Sequence, residues 1–344
     1  MLRLPPLTYL MPRSLSQAVD WLAEHGASAM LVAGGTDLYP SMKRQLVKPS
    51  YLIGLRGLSE LQQIVVREGE LDYPASDSTG VTLGAGVTLN QIARHPGLMQ
   101  QYPVLAQAVN LISTPQLRNM GTLGGNLCLD TRCAYYNQSA EWRQALGYCM
   151  KKAGQTCWVA PGGQRCWAVQ SSDLAPVLMA LDAQVELVGP QGTRGLPLAA
   201  FYQNDGLRCV TKQPDEILSA VHLPPTQQMR ASYQKLRRRG SFDFPVLSVA
   251  IAIEQDIAGI CTRARVVLGA VASAPMRVPK AEACLIGRPL GDPGIMSEVA
   301  EAVFDQAKPL DNTDLPLSYR KQMARVYTLR ALREINGTKI GEPV

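Results

Sequence analysis

Five of the eight cysteines in this chain of 344 residues lie in one short segment, between Cys128 and Cys166. The residues around them, 130–169, show neither the period of an amphipathic helix nor the alternation of a strand. Regular secondary structure therefore does not explain why the cysteines lie so close together. In an intracellular protein, which this chain is expected to be, such a cluster indicates metal or redox chemistry before disulfides.

The spacing of these cysteines is unlike that of a zinc knuckle. Zinc fingers and ribbons place their ligands in pairs two to four residues apart. Here the gaps between Cys133, Cys149, Cys157 and Cys166 are 16, 8 and 9 residues. Four thiolates gathered from separated loop positions are typical of an iron–sulfur cluster. Buried cysteines without a metal are the alternative interpretation.

The composition excludes several classes of function. The longest apolar run, residues 244–253, is too short to cross a bilayer. The net charge is +6, but the sequence lacks the dense basic stripe of a nucleic-acid binder. With only three histidines, His25, His95 and His222, neither a hydrolase triad nor a histidine metal site is expected. The sequence predicts no nucleic-acid partner, no membrane association and a cytoplasmic location.

A predicted strand near the start of the chain ends in two adjacent glycines, followed by a hydroxyl and a carboxylate. Glycines let backbone amides approach an anion closely, and successive amides form a nest for phosphate oxygens. The pattern is neither a Rossmann fingerprint nor a Walker loop, and a plain strand-to-helix turn is the alternative. The candidate binding residues are Leu31, Val32, Ala33, Gly34, Gly35, Thr36, Asp37 and Leu38.

A second glycine-rich loop, residues 118–126, reads RNMGTLGGN. It too predicts a cradle of backbone amides, although a tight turn would give the same composition. Two such loops in a chain of mixed helix and strand pattern indicate a ligand with two phosphates, such as a dinucleotide. The candidate binding residues are Thr122, Leu123, Gly124, Gly125 and Asn126.

Pro224 and Pro225 mark the predicted domain boundary, because two prolines fix an extended segment without amide donors. Three antiparallel strands and three helices are predicted after them. The last helix concentrates basic residues, which predict either a docking face for a partner subunit or an ordinary solvated surface. These residues are Arg320, Lys321, Arg325, Arg330 and Arg333.

The chain resembles the FAD-binding subunits of the molybdenum hydroxylases, the xanthine oxidase family. Three segments carry the resemblance: AGGTDL at residues 33–38, RNMGTLGGN at 118–126 and SDLAP at 172–176. The resemblance implies an α+β fold. Residues 1–224 would form a PCMH-like FAD-binding domain of the vanillyl-alcohol-oxidase type, in two α/β subdomains split near residue 58. Residues 225–344 would form a CO-dehydrogenase-flavoprotein domain with a three-stranded antiparallel sheet and helices.

The same resemblance implies which residues bind FAD. Both glycine-rich loops would hold its diphosphate. Ile112 would be an apolar contact near the flavin or adenine, and Leu218 would cover the isoalloxazine. Asp173 and Lys235 match family residues that contact FAD. No catalytic residue is expected on this chain.

The cysteine segment, residues 128–169, narrows the choice of relatives within the family. Most such subunits pass from the second loop to the SDxxP helix within a few residues. An insertion at residues 128–169 with four cysteine ligands is similar to that of the β subunit of 4-hydroxybenzoyl-CoA reductase, where it binds a [4Fe–4S] cluster near the flavin. The resemblance assigns Cys133, Cys149, Cys157 and Cys166 as ligands and leaves Cys128 spare.

The resemblance therefore implies an electron-transfer subunit with FAD and one [4Fe–4S] cluster. A large partner chain would carry a molybdenum cofactor and a small one two [2Fe–2S] clusters, in a dimer of heterotrimers that receives electrons from ferredoxin. The first function expected is 4-hydroxybenzoyl-CoA reductase, which removes the phenolic hydroxyl to give benzoyl-CoA. The alternatives are an oxidative molybdenum hydroxylase acting on an aldehyde or N-heterocycle, and a zinc-stapled binding protein without flavin.

Overall fold

A computed structural model describes residues 3–67, 80–225 and 229–337. The first subdomain contains β1 (Thr8–Leu10), α1 (Leu15–His25), β2 (Ala29–Val32), α2 (Leu38–Lys43) and β3 (Tyr51–Gly54), with short 3-10 turns at Gly26–Ser28 and Ser59–Leu61. Its three strands are parallel and lie in the order β1-β3-β2. Helix α2 connects the neighbouring strands β2 and β3, as the predicted strand–helix–strand unit requires.

Helix α1 begins where its sequence predicts. The Ser14 hydroxyl accepts a hydrogen bond from the amide of Gln17 at 3.2 Å, a cap that stabilises a helix by about 1 kcal/mol. One face of the helix is buried against the parallel sheet. The helix therefore supports β2, the strand that ends at the first glycine-rich loop.

The second subdomain is built on a five-stranded antiparallel sheet. It contains β4 (Ile64–Arg67), β5 (Gly80–Gly84), α3 (Leu89–Arg94), α4 (Pro96–Gln101), α5 (Pro103–Asn110), α6 (Pro115–Arg118), α7 (Leu123–Leu127), α8 (Ala140–Ala145), α9 (Leu174–Ala180), β6 (Gln184–Gly189), β7 (Gly192–Pro197), α10 (Leu198–Phe201) and β8 (Ile217–Leu223). The strand order is β4-β5-β8-β6-β7. The sequence does not predict β7, because five of its six residues are exposed and show no apolar alternation.

The C-terminal domain has four strands where the sequence predicts three. It contains β9 (Met229–Leu236), β10 (Leu247–Gln255), β11 (Cys261–Gly269), β12 (Met276–Arg277), α11 (Pro279–Leu285), α12 (Pro293–Gln306) and α13 (Leu317–Ile335). The sheet is antiparallel, in the order β12-β11-β10-β9. The additional strand β12 has two residues, too few to produce a detectable pattern.

Strand β10 joins the cores of the two domains. Ala250 and Ala252 on one face belong to the core of the second subdomain, whereas Val249 and Ile251 on the other face pack with α11, α12 and α13. A strand covered on both faces has no polar side to present to water. This explains why residues 247–253 are apolar apart from Ser248, which is itself fully buried. None of the helices in the described ranges is both long and apolar enough to span a membrane.

The five basic residues predicted on α13 do not all lie at the surface. Arg320 is fully buried and donates at 2.8 Å to the carbonyl oxygens of Val246, Leu310 and Ala270. Arg325 is paired with Glu301. The sequence-based inclusion of Arg320 in an exposed patch is therefore wrong, because the arginine fastens α13 to the sheet.

We expect Arg320→Met to lower the free energy of unfolding by about 3 kcal/mol or more, since three carbonyl oxygens lose a charged donor. Arg330→Met is the matched control on the same helix, because Arg330 is exposed and should change stability by less than about 0.5 kcal/mol. Urea unfolding of both variants measures the difference. Equal midpoints would contradict a structural role for Arg320.

Candidate functional site

The two glycine-rich loops touch each other through backbone atoms. A methyl group added to Gly34 would lie 1.9 Å from the carbonyl oxygen of Met120. That distance is a severe clash, so no residue with a side chain fits at this position. A methyl group on Gly121 would lie 3.6 Å from the Thr36 hydroxyl. Segments far apart in sequence thus form one continuous surface, and Gly34 is required for their contact.

The first loop presents backbone amides that the fold does not use. Within residues 3–67, 80–225 and 229–337, the amides of Gly34, Gly35 and Thr36 donate to no backbone acceptor. Gly35 has a φ of +69°, in the left-handed region that glycine adopts without strain. Thr36 is exposed. Successive free amides in this conformation form a nest for an anion, so the loop fits a phosphate group.

The amides of the second loop are already bonded. The amide of Gly124 donates to the carbonyl of Ala85 at 2.8 Å, and that of Gly125 donates to the Thr122 hydroxyl at 3.1 Å. The second loop therefore does not offer the cradle of free amides that its sequence predicts. The reason is local, because α7 begins here and its first-turn amides are capped by Thr122 and by the chain after β5. The four amides used in this way belong to Leu123, Gly124, Gly125 and Asn126.

Asn126 connects the second loop to α9. Its Oδ1 accepts hydrogen bonds from the Ser172 hydroxyl at 2.7 Å and from the amide of Leu174 at 3.2 Å. Asp173 lies between these two donors in sequence, at the start of α9. The second glycine-rich loop and the SDLAP run, which are separated by the cysteine segment, are therefore adjacent.

Asp173 and Lys235, both predicted to contact FAD, contact each other. The Lys235 ammonium lies 3.0 Å from the Asp173 carboxylate and donates to the carbonyl of Leu111 at 2.9 Å. The Tyr233 hydroxyl donates to the same carboxylate at 2.7 Å. Burial raises the pKa of Asp173 and lowers the pKa of Lys235, and the attraction between them opposes both shifts. This buried pair fastens β9 to the N-terminal domain.

Ile112 and Leu218 lie in the same apolar core. Ile112 is 9% exposed and Leu218 is 4% exposed. The carbonyl of Ile112 accepts a hydrogen bond from the Arg118 guanidinium at 2.7 Å. Contact of either side chain with a ligand remains a prediction from the resemblance.

The cysteine segment leaves and rejoins the N-terminal domain at one point. Arg132 and Val169 exchange two backbone hydrogen bonds, of 2.8 and 2.7 Å. Between them lie the short helix α8 and a succession of turns. The segment is therefore a closed loop whose two ends are paired, attached beside the second glycine-rich loop.

All four predicted ligands point into the protein. Cys128, the predicted spare, is exposed. Three of the four thiols share an apolar cluster with Leu46 and Tyr136. The exposed fractions of the four ligands are 8% for Cys133, 8% for Cys149, 5% for Cys157 and 5% for Cys166.

The four buried thiols act on one another electrostatically. Burial raises the pKa of Cys133 to about 12, and the thiols of Cys166 and Cys149 add to this rise. Burial also raises the pKa of Cys166, with Cys157 and Cys149 contributing and Lys151 opposing. Cys133, Cys149 and Cys166 thus pack in one cluster, and Cys157 is near enough to act on Cys166. In the described part of the chain, no group of three or more His, Cys, Asp or Glu side chains is placed to hold a metal ion.

Arg132 connects the cysteine segment to the first glycine-rich loop. Its guanidinium pairs with the Asp37 carboxylate and lies 3.7 Å from the centre of the Phe244 ring in the C-terminal domain. Burial raises the pKa of Asp37, and the arginine opposes that rise. Sequence analysis missed Arg132, because an arginine in a segment without periodicity gives no sign of its burial or partners.

Comparison with known proteins identifies the family. Residues 5–226 match the FAD binding domain in molybdopterin dehydrogenase, and residues 231–335 match the CO dehydrogenase flavoprotein C-terminal domain. The chain therefore belongs to the FAD-binding medium subunits of the xanthine oxidase and CO dehydrogenase family, the molybdenum hydroxylases. It is an FAD-binding oxidoreductase subunit, which confirms the predicted family and cofactor.

The similarity extends over most of the chain. The aldehyde oxidoreductase FAD-binding subunit PaoB of Escherichia coli strain K12 is 35% identical over 292 residues, which cover 82% of this chain and 84% of PaoB. The carbon monoxide dehydrogenase medium chain of Afipia carboxidovorans is 28% identical over 325 residues, or 94% of each chain. The structure of reconstituted CO dehydrogenase from Oligotropha carboxidovorans aligns with a TM-score of 0.78 at 26% identity, covering 98% of this chain and 100% of the other.

Proposed function

We propose that this chain is the FAD-bearing electron-transfer subunit of a molybdenum hydroxylase that oxidises an aldehyde. The observation that carries the flavin role is the first glycine-rich loop, whose unused amides and left-handed Gly35 fit an anionic diphosphate. The aldehyde is proposed because PaoB, with which the chain aligns over most of its length, is named an aldehyde oxidoreductase subunit.

The chain's own residues would bind and orient the cofactor. The amides of Gly34, Gly35 and Thr36 would donate to the diphosphate, and the Thr36 hydroxyl would add a further donor. The contact of Gly34 with Met120 holds the second loop against the first, so that both face the same ligand. Bound FAD would supply the exchange of electrons, one or two at a time, which side chains cannot perform.

We also propose that Cys133, Cys149, Cys157 and Cys166 hold a [4Fe–4S] cluster. Four buried thiols in one pocket form a suitable donor set. A cubane has one thiolate on each of four irons, so its ligands lie further apart than four ligands of a single ion. Four soft sulfur donors suit either an iron–sulfur cluster or a zinc ion, and analysis of the metal bound to anaerobically purified protein distinguishes the two.

The proposed partners follow from the family. A large chain would hold the molybdenum cofactor and the substrate pocket, and a small chain would hold two [2Fe–2S] clusters, in a dimer of heterotrimers. The medium-chain designation of the carbon monoxide dehydrogenase relative supports such a complex. A ferredoxin is the proposed electron partner.

The cysteine segment favours a second candidate, 4-hydroxybenzoyl-CoA reductase, through its resemblance to the insertion of that enzyme. Both candidates are tested with the complex obtained by co-expressing this chain with a large molybdenum-cofactor subunit and a small iron–sulfur subunit from the same source. Oxidation of aromatic or aliphatic aldehydes with a dye acceptor would support the first proposal. Release of benzoyl-CoA from 4-hydroxybenzoyl-CoA with a low-potential donor, and no aldehyde oxidation, would support the second. A complex free of flavin would contradict both.

A further inference from the structure

Lys151 is a buried cation at the edge of the cysteine pocket. Its side chain is only 8% exposed. The Nζ atom donates to Oδ1 of Asp130 at 2.7 Å, to the Thr131 hydroxyl at 2.8 Å and to the carbonyl of Gly206 at 2.6 Å. An ammonium has three N–H donors, so all of them are used. The positive charge is therefore held in one place.

Gly206 brings that charge next to Cys166. The amide of Gly206 donates to the carbonyl of Cys166 at 2.9 Å. A methyl group added to Gly206 would lie 2.7 Å from the Cys166 sulfur. The carbonyl of the same glycine accepts the hydrogen bond from Lys151. The ammonium and the sulfur are thus both immediate neighbours of one glycine.

The counter-charge of Asp130 does not cancel the charge of Lys151. The Asp130 side chain is 50% exposed, whereas that of Lys151 is 8% exposed. Water and salt screen an exposed charge far more than a buried one. The Tyr136 ring, 5.1 Å from the ammonium, covers it further. A net positive field therefore acts on the pocket that contains Cys166.

We propose that Lys151 raises the reduction potential of the iron–sulfur cluster held by the four cysteines. This inference rests on the proposed function, because it requires that cluster. Reduction adds one electron, and a fixed positive charge nearby stabilises the more negative, reduced form. Cluster potentials respond to net charge and to surrounding hydrogen bonds in this way. Lys151 is thus a residue that tunes the cluster without binding it.

The test is a redox titration of the anaerobically purified complex, followed by low-temperature EPR. Lys151→Met should decrease the equilibrium constant for one-electron reduction by about tenfold, which corresponds to about 59 mV. Lys151→Arg should restore the wild-type value, because it keeps the charge. Lys48→Met is the matched control, since Lys48 is an exposed lysine. It should leave the potential unchanged.

Each outcome decides between the two proposals. A wild-type complex whose reduced EPR spectrum shows only the [2Fe–2S] signals of the small chain, and no [4Fe–4S] signal, would overturn the cluster and this inference together. A cluster with an unchanged potential in Lys151→Met would overturn the inference alone. If Lys151→Met does not assemble, Lys151→Gln is measured instead, because it also removes the charge but keeps a polar end, and it should decrease the equilibrium constant in the same way. An unchanged potential in that variant would overturn the inference as well.

Discussion

Serine in place of any one of Cys133, Cys149, Cys157 or Cys166 should remove the iron–sulfur cluster, whereas Cys128→Ser should retain it. The four proposed ligands are buried, three of them in one apolar cluster, whereas Cys128 is exposed. A cubane has one thiolate for each iron, so no position is left for a fifth. Iron content should fall by about four atoms per chain, and the [4Fe–4S] EPR signal of the dithionite-reduced complex should disappear while the [2Fe–2S] signals of the small chain remain.

The same variants should disorder much of residues 130–169, because binding of the metal and ordering of its loops are coupled. Hydrogen exchange of this segment would measure the effect. FAD content should fall much less, since the free amides of the first loop lie outside the segment. A cluster lost in Cys128→Ser and kept in Cys133→Ser would refute the ligand assignment. Zinc in place of iron in anaerobically prepared protein would refute electron transfer through this segment.

Gly34→Ala should abolish retention of FAD. Its added methyl group would lie 1.9 Å from the Met120 carbonyl oxygen, so the two glycine-rich loops would have to separate. Backbone rearrangement of this kind costs about 1–3 kcal/mol in a packed protein. We therefore expect both a lower midpoint of unfolding and loss of the flavin absorbance after gel filtration.

Two further glycines separate the effect on FAD from the effect on folding. Gly125→Val should lower FAD retention because its branched side chain would cover exposed surface that the second loop is proposed to turn toward FAD. Its cost in stability should be small, because the added Cβ meets only the Thr122 hydroxyl, at 3.1 Å, a tight contact that a small shift of that side chain relieves. Gly291→Ala is the matched control, since nothing lies within 4 Å of its added methyl group. Wild-type flavin content in both Gly34→Ala and Gly125→Val would contradict binding at these loops.

Sequence patterns predicted the strands and helices in which burial follows a regular pattern along the chain. Strand β10 is recognisable because its two buried faces make residues 247–253 apolar apart from Ser248. Strand β7 is not, because its exposed residues do not alternate. Strand β12 is too short for any pattern. Thus the N-terminal parallel unit and most of the C-terminal sheet could be predicted, whereas exposed or very short strands could not.

The same distinction applies to the candidate site. Paired glycines are recognisable because few other residues adopt the left-handed backbone conformation without strain. Clustered cysteines are recognisable because cysteine supplies the soft thiolate ligand. Arg132 and Lys151 are common surface residue types, and their burial depends on partners distant in sequence, such as Asp37 and Gly206. The sequence also could not show that the amides of the second loop are already hydrogen-bonded, because two of their acceptors lie in the chain after β5.

The paired ends of the cysteine segment bear on how such a subunit can evolve. Because Arg132 and Val169 already pair as neighbouring backbone positions, the segment between them can be gained or lost without moving any strand of the sheets. Long insertions with adjacent ends cost a fold little, since loop-closure entropy grows slowly with length. One insertion event would therefore be enough to add the proposed metal-binding segment to an existing flavoprotein while leaving its topology unchanged.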